Sequence, residues 1–392
     1  MKQFEKDFYK KISFDKDIYE NKNILSNKIS DQNILVIGGA GTIGSSYIKQ
    51  ILKYKPSKIT VVDINENGLT ELTRDLRSSN LLDYNPEYIT YPVNLLSDTF
   101  DKIFNSDKWQ VVANFSAHKH VRSEKDKISV EALIKNNVYG AIKLLNLCEA
   151  NPPKYFFSVS TDKAANPVNI MGASKSLMEK LILSKKDLFR VSTARFANVA
   201  FSNGSLLDGF IYRLNKNQPL SCPEDIKRFF VTPEQSGQIC LLATFLGETG
   251  NIFFPKLDFH KDQIYFKDIA LDFLKENGFE PVLVKSEKEA KEFYFEKYPS
   301  KYPIYFFKSD TSGEKTYEEF YTEEEDYEIN EFDSLGYINT SEVNISFVEV
   351  EVDFETVFNN SNSNKADIVK IINKYVPDFM HIETGKNLDQ KM

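Results

Sequence analysis

Residues 33–44 read NILVIGGAGTIG, and the fold turns on this stretch. Asn33 to Ile37 is a short apolar run of the kind that a parallel strand buried on both faces needs. It leads directly into Gly38-Gly39-Ala40-Gly41-Thr42-Ile43-Gly44 and then a helical pattern through Tyr54. Glycines at 38, 41 and 44 form a relative of the dinucleotide fingerprint. The first permits a tight turn, the second lets backbone approach a pyrophosphate, and the third lets helix and strand pack closely. The helix start then offers N–H groups and a positive dipole end to phosphates. The next strand, Lys58 to Val62, ends in Asp63, about 20 residues past the glycines, where a carboxylate holds the adenine ribose hydroxyls. A carboxylate there repels a 2′-phosphate, so the expected cofactor is NAD rather than NADP. Arg74 and Arg77 read as solvated charges on a helix surface.

The alternation continues along the chain. Leu69 to Ser78 reads as a helix, Glu87 to Val93 as a strand ending at Asn94, Trp109 to Phe115 as a strand, and Ser129 to Ala150 as one long helix. Tyr155 to Val159 and Phe189 to Ala194 are further strands. Strands alternating with helices imply an α/β fold, a Rossmann-like, doubly wound parallel sheet with helices on both faces. From Phe201 the pattern becomes loop-rich. A helix runs to Lys216, RFFVTPEQ follows at Arg228 to Gln235, and a helix from Pro233 to Leu246 and a strand from Asn251 to Phe254 return to the first layer. The expected organisation is an extension over 1–32, a dinucleotide-binding domain over 33–200 with returns near 233–254, an interleaved substrate-binding lobe over 201–340, and a C-terminal extension over 341–392. The extension over 1–32 is polar and weakly patterned, a segment that packs on a neighbour or on the main domain, or else a disordered tail. The acidic stretch Glu318 to Glu331 reads as a solvated face or loop, and SNSNK at Ser361 to Lys365 as a linker to a last helix, Ala366 to Tyr375.

Composition excludes several classes of function. The chain has 392 residues, 41% of them hydrophobic and 27% charged, as in an ordinary globular protein. A formal charge of −8 argues against nucleic acid as the main partner. Cys148, Cys222 and Cys240 are far apart and match neither a disulfide framework nor zinc spacing, so they read as buried thiols in a reducing cytoplasm. The first residues alternate lysines with aromatics and lack the apolar core of a signal peptide. No run approaches the roughly 18 apolar residues that span a bilayer. The expectation is a soluble, cytoplasmic protein.

Chemistry points to residues 157–175, FSVSTDKAANPVNIMGASK. The segment leaves the Tyr155 to Val159 strand, crosses a polar turn with Ser160, Thr161, Asp162 and Lys163, and enters a helix carrying Met171 and Lys175. Residues four apart share a helix face, so Met171 and Lys175 point the same way. Open α/β sheets bind ligands at the carboxyl ends of their strands, where this turn lies. After the Trp109 to Phe115 strand comes Ser116-Ala117-His118-Lys119-His120-Val121. Its two histidines have no carboxylate or cysteine at ligand spacing, so no metal is expected; a loop that closes over cofactor and substrate fits better. Asn137, mid-helix in KNNVYG, is either surface polarity or a residue that orients the active-site helix.

The chain resembles the extended short-chain dehydrogenase/reductases, specifically the UDP-N-acetylglucosamine 4,6-dehydratases among the polysaccharide biosynthesis proteins. The resemblance covers about residues 33 to 320 and rests on GGAGTIGS, Asp63 followed by Glu66-Asn67-Gly68-Leu69, SAHKHV, NNVYG, STDKAANPVNIMGASK, RFANV, RFFVT and SGEK. Most short-chain dehydrogenases pair a Tyr with a Lys four residues later. Here Lys175 is kept and Met171 stands in the tyrosine's place, and a thioether cannot take a proton from a sugar hydroxyl. That is similar to the configuration-retaining dehydratases, many of which carry an N-terminal membrane region, so this chain looks like a soluble, short member of that branch.

The resemblance implies a reaction and a set of roles. NAD takes hydride from sugar C4, the ketone acidifies the C5 proton, water leaves across C5–C6, and the hydride returns to C6. Lys163 is the implied base at C5, provided burial and nearby Lys175 leave it neutral. Asp162 is the implied acid for the C6 hydroxyl, which requires it to be protonated. Thr161 hydrogen-bonds the C4 hydroxyl, and Lys175 holds the nicotinamide ribose. Gly38, Gly41, Thr42, Ile43, Gly44, Asp63, Asn94, Ser116, Ala117, Lys119 and Asn137 are the implied cofactor contacts. His120, Asn198, Ser205, Arg228, Glu314 and Lys315 are the implied substrate contacts, with arginine suited to pyrophosphate by its planar fork. The sequence departs from the pattern where Asn94 replaces an Asp that meets the adenine amino group, at Ser312 in place of a Pro, and in the aromatic-rich Phe293 to Phe307 insert. The alternatives are a C5-inverting dehydratase or 4-epimerase of a nucleotide sugar, and a non-catalytic NAD-binding scaffold. A homo-oligomer, dimer or hexamer, is implied.

Overall fold

The computed structural model describes residues 12–310, 313, 315, 317–383 and 385. Its strands are β1 (Asn33–Ile37), β2 (Lys58–Asp63), β3 (Glu87–Pro92), β4 (Val111–Asn114), β5 (Tyr155–Val159), β6 (Arg190–Ala194), β7 (Asn198–Val199) and β8 (Leu220–Pro223). They continue as β9 (Lys227–Arg228), β10 (Phe230–Val231), β11 (Ile252–Pro255), β12 (Ile264–Tyr265), β13 (Glu280–Val284), β14 (Lys301–Phe307), β15 (Tyr327–Glu328) and β16 (Leu335–Ile338). Side chains alternate across a strand, and in β1 this splits the protein into two cores. Ile34 and Val36 join Tyr47, Ile48, Leu69 and Ile239 on one face, while Leu35 and Ile37 join Phe104, Leu133, Leu145 and Leu177 on the other. Both faces are covered by helices, which is why the strand reads as a continuous apolar run.

Among the described residues, nine strands form the main sheet in the order β15-β16-β11-β6-β5-β4-β1-β2-β3. From β3 to β11 the neighbours are parallel, and β16 and β15 add antiparallel at the edge. The expected doubly wound sheet is therefore present. Strand order reverses between β1 and β4, which opens a crevice at the carboxyl ends of those two strands. A smaller parallel sheet, β13-β14-β8, packs with helices Leu206–Asn215 and Phe266–Glu276 around Phe210, Leu220, Phe273, Tyr302 and Ile304. Two short pairs, β7 with β10 and β9 with β12, bridge this lobe to the sheet.

Several segments depart from the sequence reading. Residues 12–29 are no loose tail: Asp15–Glu20 and Lys22–Ile29 are helices, and Phe14, Leu25 and Ile29 are fully buried. Buried Asp17 accepts the backbone N–H groups of Asp333 and Ser334 at 2.7 and 2.8 Å, which ties this segment to the start of β16. Asp98–Asn105, read as no element in the sequence, is a helix whose start is capped by Ser97. The long helix expected over Ser129 to Ala150 is Lys127–Ile134 and Gly140–Ala150 joined by a π turn at Lys135–Tyr139. The C-terminal helices Phe347–Phe358 and Lys365–Tyr375 complete the second core, and beyond them Met380 and Ile382 donate backbone N–H groups to Pro167 and Val168. No helix among the described residues is long and apolar enough to cross a membrane.

Candidate active site

At the carboxyl end of β1, Gly38 turns the chain at φ +74°, and a Cβ there would sit 2.5 Å from the backbone nitrogen of Ser116. A Cβ on Gly44 would sit 2.4 Å from the carbonyl oxygen of Gly38. Both obstacles are backbone, so these positions have no room for a side chain. The helix Thr42–Leu52 begins at Gly41 with no side chain capping its first N–H groups. Asp63 at the end of β2 accepts the backbone N–H of Ala40 through Oδ2 and of Asn65 through Oδ1, both at 2.9 Å. This bare turn, uncapped helix start and neighbouring carboxylate fit the pyrophosphate and adenine ribose of a dinucleotide. Asn94 Oδ1 accepts the backbone N–H of Leu96 at 2.8 Å. Thr42 Oγ1 accepts the N–H of Asn203 at 3.1 Å, and Lys119 Nζ donates to the Asn203 carbonyl at 2.8 Å. The 203 loop is thus fastened beside the glycine turn, with Ser116, Ala117 and Ile43 partly exposed nearby.

Asn137 is buried, not surface polarity. Its amide takes both backbone groups of His118 (N–H at 2.8 Å, carbonyl at 3.0 Å) and donates to Ser174 Oγ at 3.0 Å. Ser174 in turn donates to the Met171 carbonyl at 2.7 Å. The π turn carries Asn137 and links the loop after β4 to the active-site helix Ile170–Leu183, a frequent use of π bulges.

That helix is placed from both sides. Asn169 caps it by accepting the Gly172 N–H at 2.7 Å and donates its amide to the Gly313 carbonyl at 2.8 Å. The carboxylate of Glu124 accepts the Met171 N–H at 2.8 Å. Met171 is buried, and Lys175 is only 4% exposed, donating to the Val159 carbonyl at 2.7 Å. Burial pushes the Lys175 ammonium down to about 8, with Glu179 opposing.

The Thr161–Lys163 turn forms a closed charged cluster. Asp162 Oδ1 accepts from Thr161 Oγ1 at 2.7 Å, from the Lys163 N–H at 2.9 Å and from Lys163 Nζ at 3.1 Å. Lys163 Nζ also lies 3.6 Å from Glu318 Oε1, which in turn lies 3.7 Å from a guanidinium nitrogen of Arg228. The neutral Lys163 expected from burial and a cationic neighbour is not what the cluster produces. Burial does push its ammonium down, but Asp162 and then Glu318 outweigh burial and Arg228, and the net direction is up. Lys163 is a charged, paired lysine in this arrangement.

On the lobe side, Asn198 begins β7 and pairs with Phe230 of β10, and Arg228 ends β9 and reaches the cluster through Glu318. Arg228 is buried and also donates to the Lys227 carbonyl at 2.8 Å. Ser205 accepts the Asp208 N–H at 3.1 Å and caps the helix Leu206–Asn215. His120 stands against Gly204, whose Cβ would be 3.1 Å from Nε2. Lys315 is close enough to Glu318 to pull its proton affinity down, and Glu314 lies outside the described residues. Next to Arg228 is a pocket lined by Asp225, Lys227, Phe259, Gln263, Tyr265 and Tyr317, which the sequence reading did not single out.

Two carboxylates at the site also escaped that reading. Glu318, expected to be solvated, is 4% exposed inside the cluster. The acidic segment is held in by Arg195, which pairs with Glu325 at 2.9 Å and with Glu179 at 2.7 Å. Glu124 is buried under the Met171 turn, where burial pushes its carboxyl up to about 7. Glu318 lies three residues past Lys315 of the recognised SGEK stretch and four past Glu314, a spacing that offered the one available hint. Among the described residues no His, Cys, Asp or Glu grouping is suited to hold a metal ion.

Comparison with known proteins gives consistent matches. A family model described as polysaccharide biosynthesis protein matches residues 34–340. An uncharacterized membrane protein of Methanocaldococcus jannaschii is 30% identical over 322 residues, covering 79% of this chain and 86% of that protein. A UDP-N-acetylglucosamine 4,6-dehydratase (inverting) of Campylobacter jejuni is 30% identical over 238 residues, 58% of this chain and 67% of that protein. The solved structure of Pen from Bacillus thuringiensis superposes with a TM-score of 0.66 at 22% identity, covering 85% of this chain and 99% of that one, which shows a shared fold.

Proposed function

The chain belongs to the polysaccharide biosynthesis protein family, and from that premise we propose that it dehydrates UDP-N-acetylglucosamine across C5–C6, giving a 4-keto-6-deoxy sugar with C5 retained. The observation that carries the reading is the 3.1 Å contact between Asp162 Oδ1 and Lys163 Nζ, at the carboxyl edge of the sheet beside Lys175 and Met171. Gly38, Gly41, Gly44, Asp63 and Lys175 would hold NAD, which when bound would supply the hydride acceptor and donor.

The rest falls to the chain's own side chains. Elimination needs a neutral amine to take the C5 proton and a protonated carboxyl to release the C6 hydroxyl as water. The ion pair becomes that combination by one proton transfer, from Lys163 Nζ to Asp162 Oδ1. Elimination leaves Lys163 an ammonium and Asp162 a carboxylate. As C6 gains hydride, Lys163 would return its proton to C5 on the face it came from, which retains the configuration, and the proton lost from the C4 hydroxyl would recharge the pair. Thr161 already donates to Asp162 and aligns it for the hydroxyl group it will protonate. Arg228 and Lys315 suit the pyrophosphate. With Met171 in the tyrosine's place, that position supplies no phenol, and Lys175 supplies positive field. The test is turnover by Asp162→Asn and Lys163→Met, which are expected to bind nucleotide sugar yet lose water formation.

A further inference from the structure

We infer that Glu318 is a positioning residue of this site: the counter-ion that stabilises the Lys163 ammonium formed when Lys163 takes the C5 proton. The inference rests on the dehydratase reading and extends it to a residue in the acidic segment.

The geometry is specific. Glu318 Oε1 stands 3.6 Å from Lys163 Nζ and 3.7 Å from an Arg228 guanidinium nitrogen, and all three side chains are shut in, with 4%, 16% and 5% exposure. A carboxylate enters such surroundings only if it is paired, and its segment is built to deliver it there. On the C-terminal side Arg195 donates to the Phe320 carbonyl at 3.2 Å and to both Glu325 oxygens, while the Phe320 ring packs 5.0 Å from Phe229. On the same turn Glu319 accepts from Asn166 at 2.9 Å. Asn166 lies in the loop that leads from Lys163 to the active-site helix, so both ends of the contact are fixed to one another.

The charge balance gives the role. Lys163 faces Asp162, Glu318 and Arg228, and Glu318 faces Lys163, Asp162, Arg228 and Lys315. In elimination, the C5–H electron pair becomes the C5–C6 double bond, the proton goes to Lys163 Nζ, and the C6–O bond breaks as Asp162 gives its proton to the leaving oxygen. At that moment Asp162, itself engaged with the departing water, becomes a carboxylate again at 3.1 Å, and Glu318 at 3.6 Å is the second carboxylate beside the new ammonium.

The experiment compares wild type with Glu318→Gln, an isosteric neutral change, and Glu318→Asp, which keeps the charge. Two readouts are taken: kcat against pH for water loss from UDP-N-acetylglucosamine, and the titration of the Lys163 ¹⁵Nζ signal, assigned with Lys163→Arg. Without the negative charge the cluster gives up its proton more readily. Glu318→Gln is therefore expected to move both the alkaline limb and the Nζ midpoint down by about one pH unit or more, to lower kcat about tenfold on that alkaline limb, where the pair has lost its proton, and to leave KM within about threefold. Glu318→Asp is expected to recover part of each. An Nζ midpoint that does not move, or a change in KM alone with the pH profile intact, would overturn the inference. A wild-type protein without turnover sinks the dehydratase reading instead, and the Nζ titration still judges the Glu318–Lys163 coupling.

Discussion

The backbone N–H of Met171 donates to the buried carboxylate of Glu124 at 2.8 Å, so a residue of the loop after β4 holds the first turn of the active-site helix. An isosteric amide would keep that acceptor without the charge. Burial raises the Glu124 carboxyl to about 7, against pulls from the Met171 and Ile170 N–H groups and Lys365. A pKa higher in the folded state than in the unfolded one means stability that is present below the ordinary carboxylate range and lost as pH rises through about 7. Glu124→Gln is therefore expected to melt close to wild type at pH 5 and above it at pH 8, by up to about 3 kcal/mol. Thermal melts across that range check this; a constant offset contradicts it.

The Asp162–Lys163 proton exchange predicts separable losses. Lys163→Met should abolish exchange of the C5 hydrogen with deuterated solvent, while Asp162→Asn should slow water loss by about 100-fold or more and leave some exchange. Equal loss of both signals in the two variants would mean that the residues do not divide acid and base work.

Met171 has no proton to give, so its part is volume. Met171→Leu is close to volume-conserving and is expected to cost less than about 1.5 kcal/mol and to keep kcat within about threefold. A tenfold drop in kcat, measured beside a normal melting curve, would assign the thioether a direct role.

Gly44→Ala tests the dinucleotide turn. Its Cβ would fall 2.4 Å from the Gly38 carbonyl oxygen, and neither group belongs to a flexible side chain. NAD affinity, read by calorimetry, is expected to fall at least about tenfold, because the turn must open to admit the methyl group. Unchanged affinity would place the cofactor elsewhere.

The fold was legible where one periodicity dominates. The β1 run and the glycines after it announce a strand buried on both sides and a phosphate-facing turn, and the structure has the doubly wound sheet they imply. Asn137 could be read either way, because its helical position says nothing of the π turn that rotates it into the protein. Glu318 was misread for a different reason. A run of acidic residues is usually solvated, and what buries this one is long-range: Arg195, just past β6, pairs with Glu325, and Lys163 and Arg228 from separate elements supply the charge opposite Glu318. The N-terminal helices were hidden similarly, since Asp17 is polar in sequence and becomes a buried acceptor only against Ser334. Local patterns show what a segment prefers; they do not show which distant charge makes a buried carboxylate affordable.

The central claim is best tested by incubating the purified protein with UDP-N-acetylglucosamine and following the product by mass spectrometry and proton NMR. The account predicts a product lighter by one water, with a C6 methyl signal and the gluco arrangement at C5. An unchanged sugar, with GDP- and TDP-linked analogues equally inert, would contradict the dehydratase reading, and a product with inverted C5 would contradict the retention assigned to it.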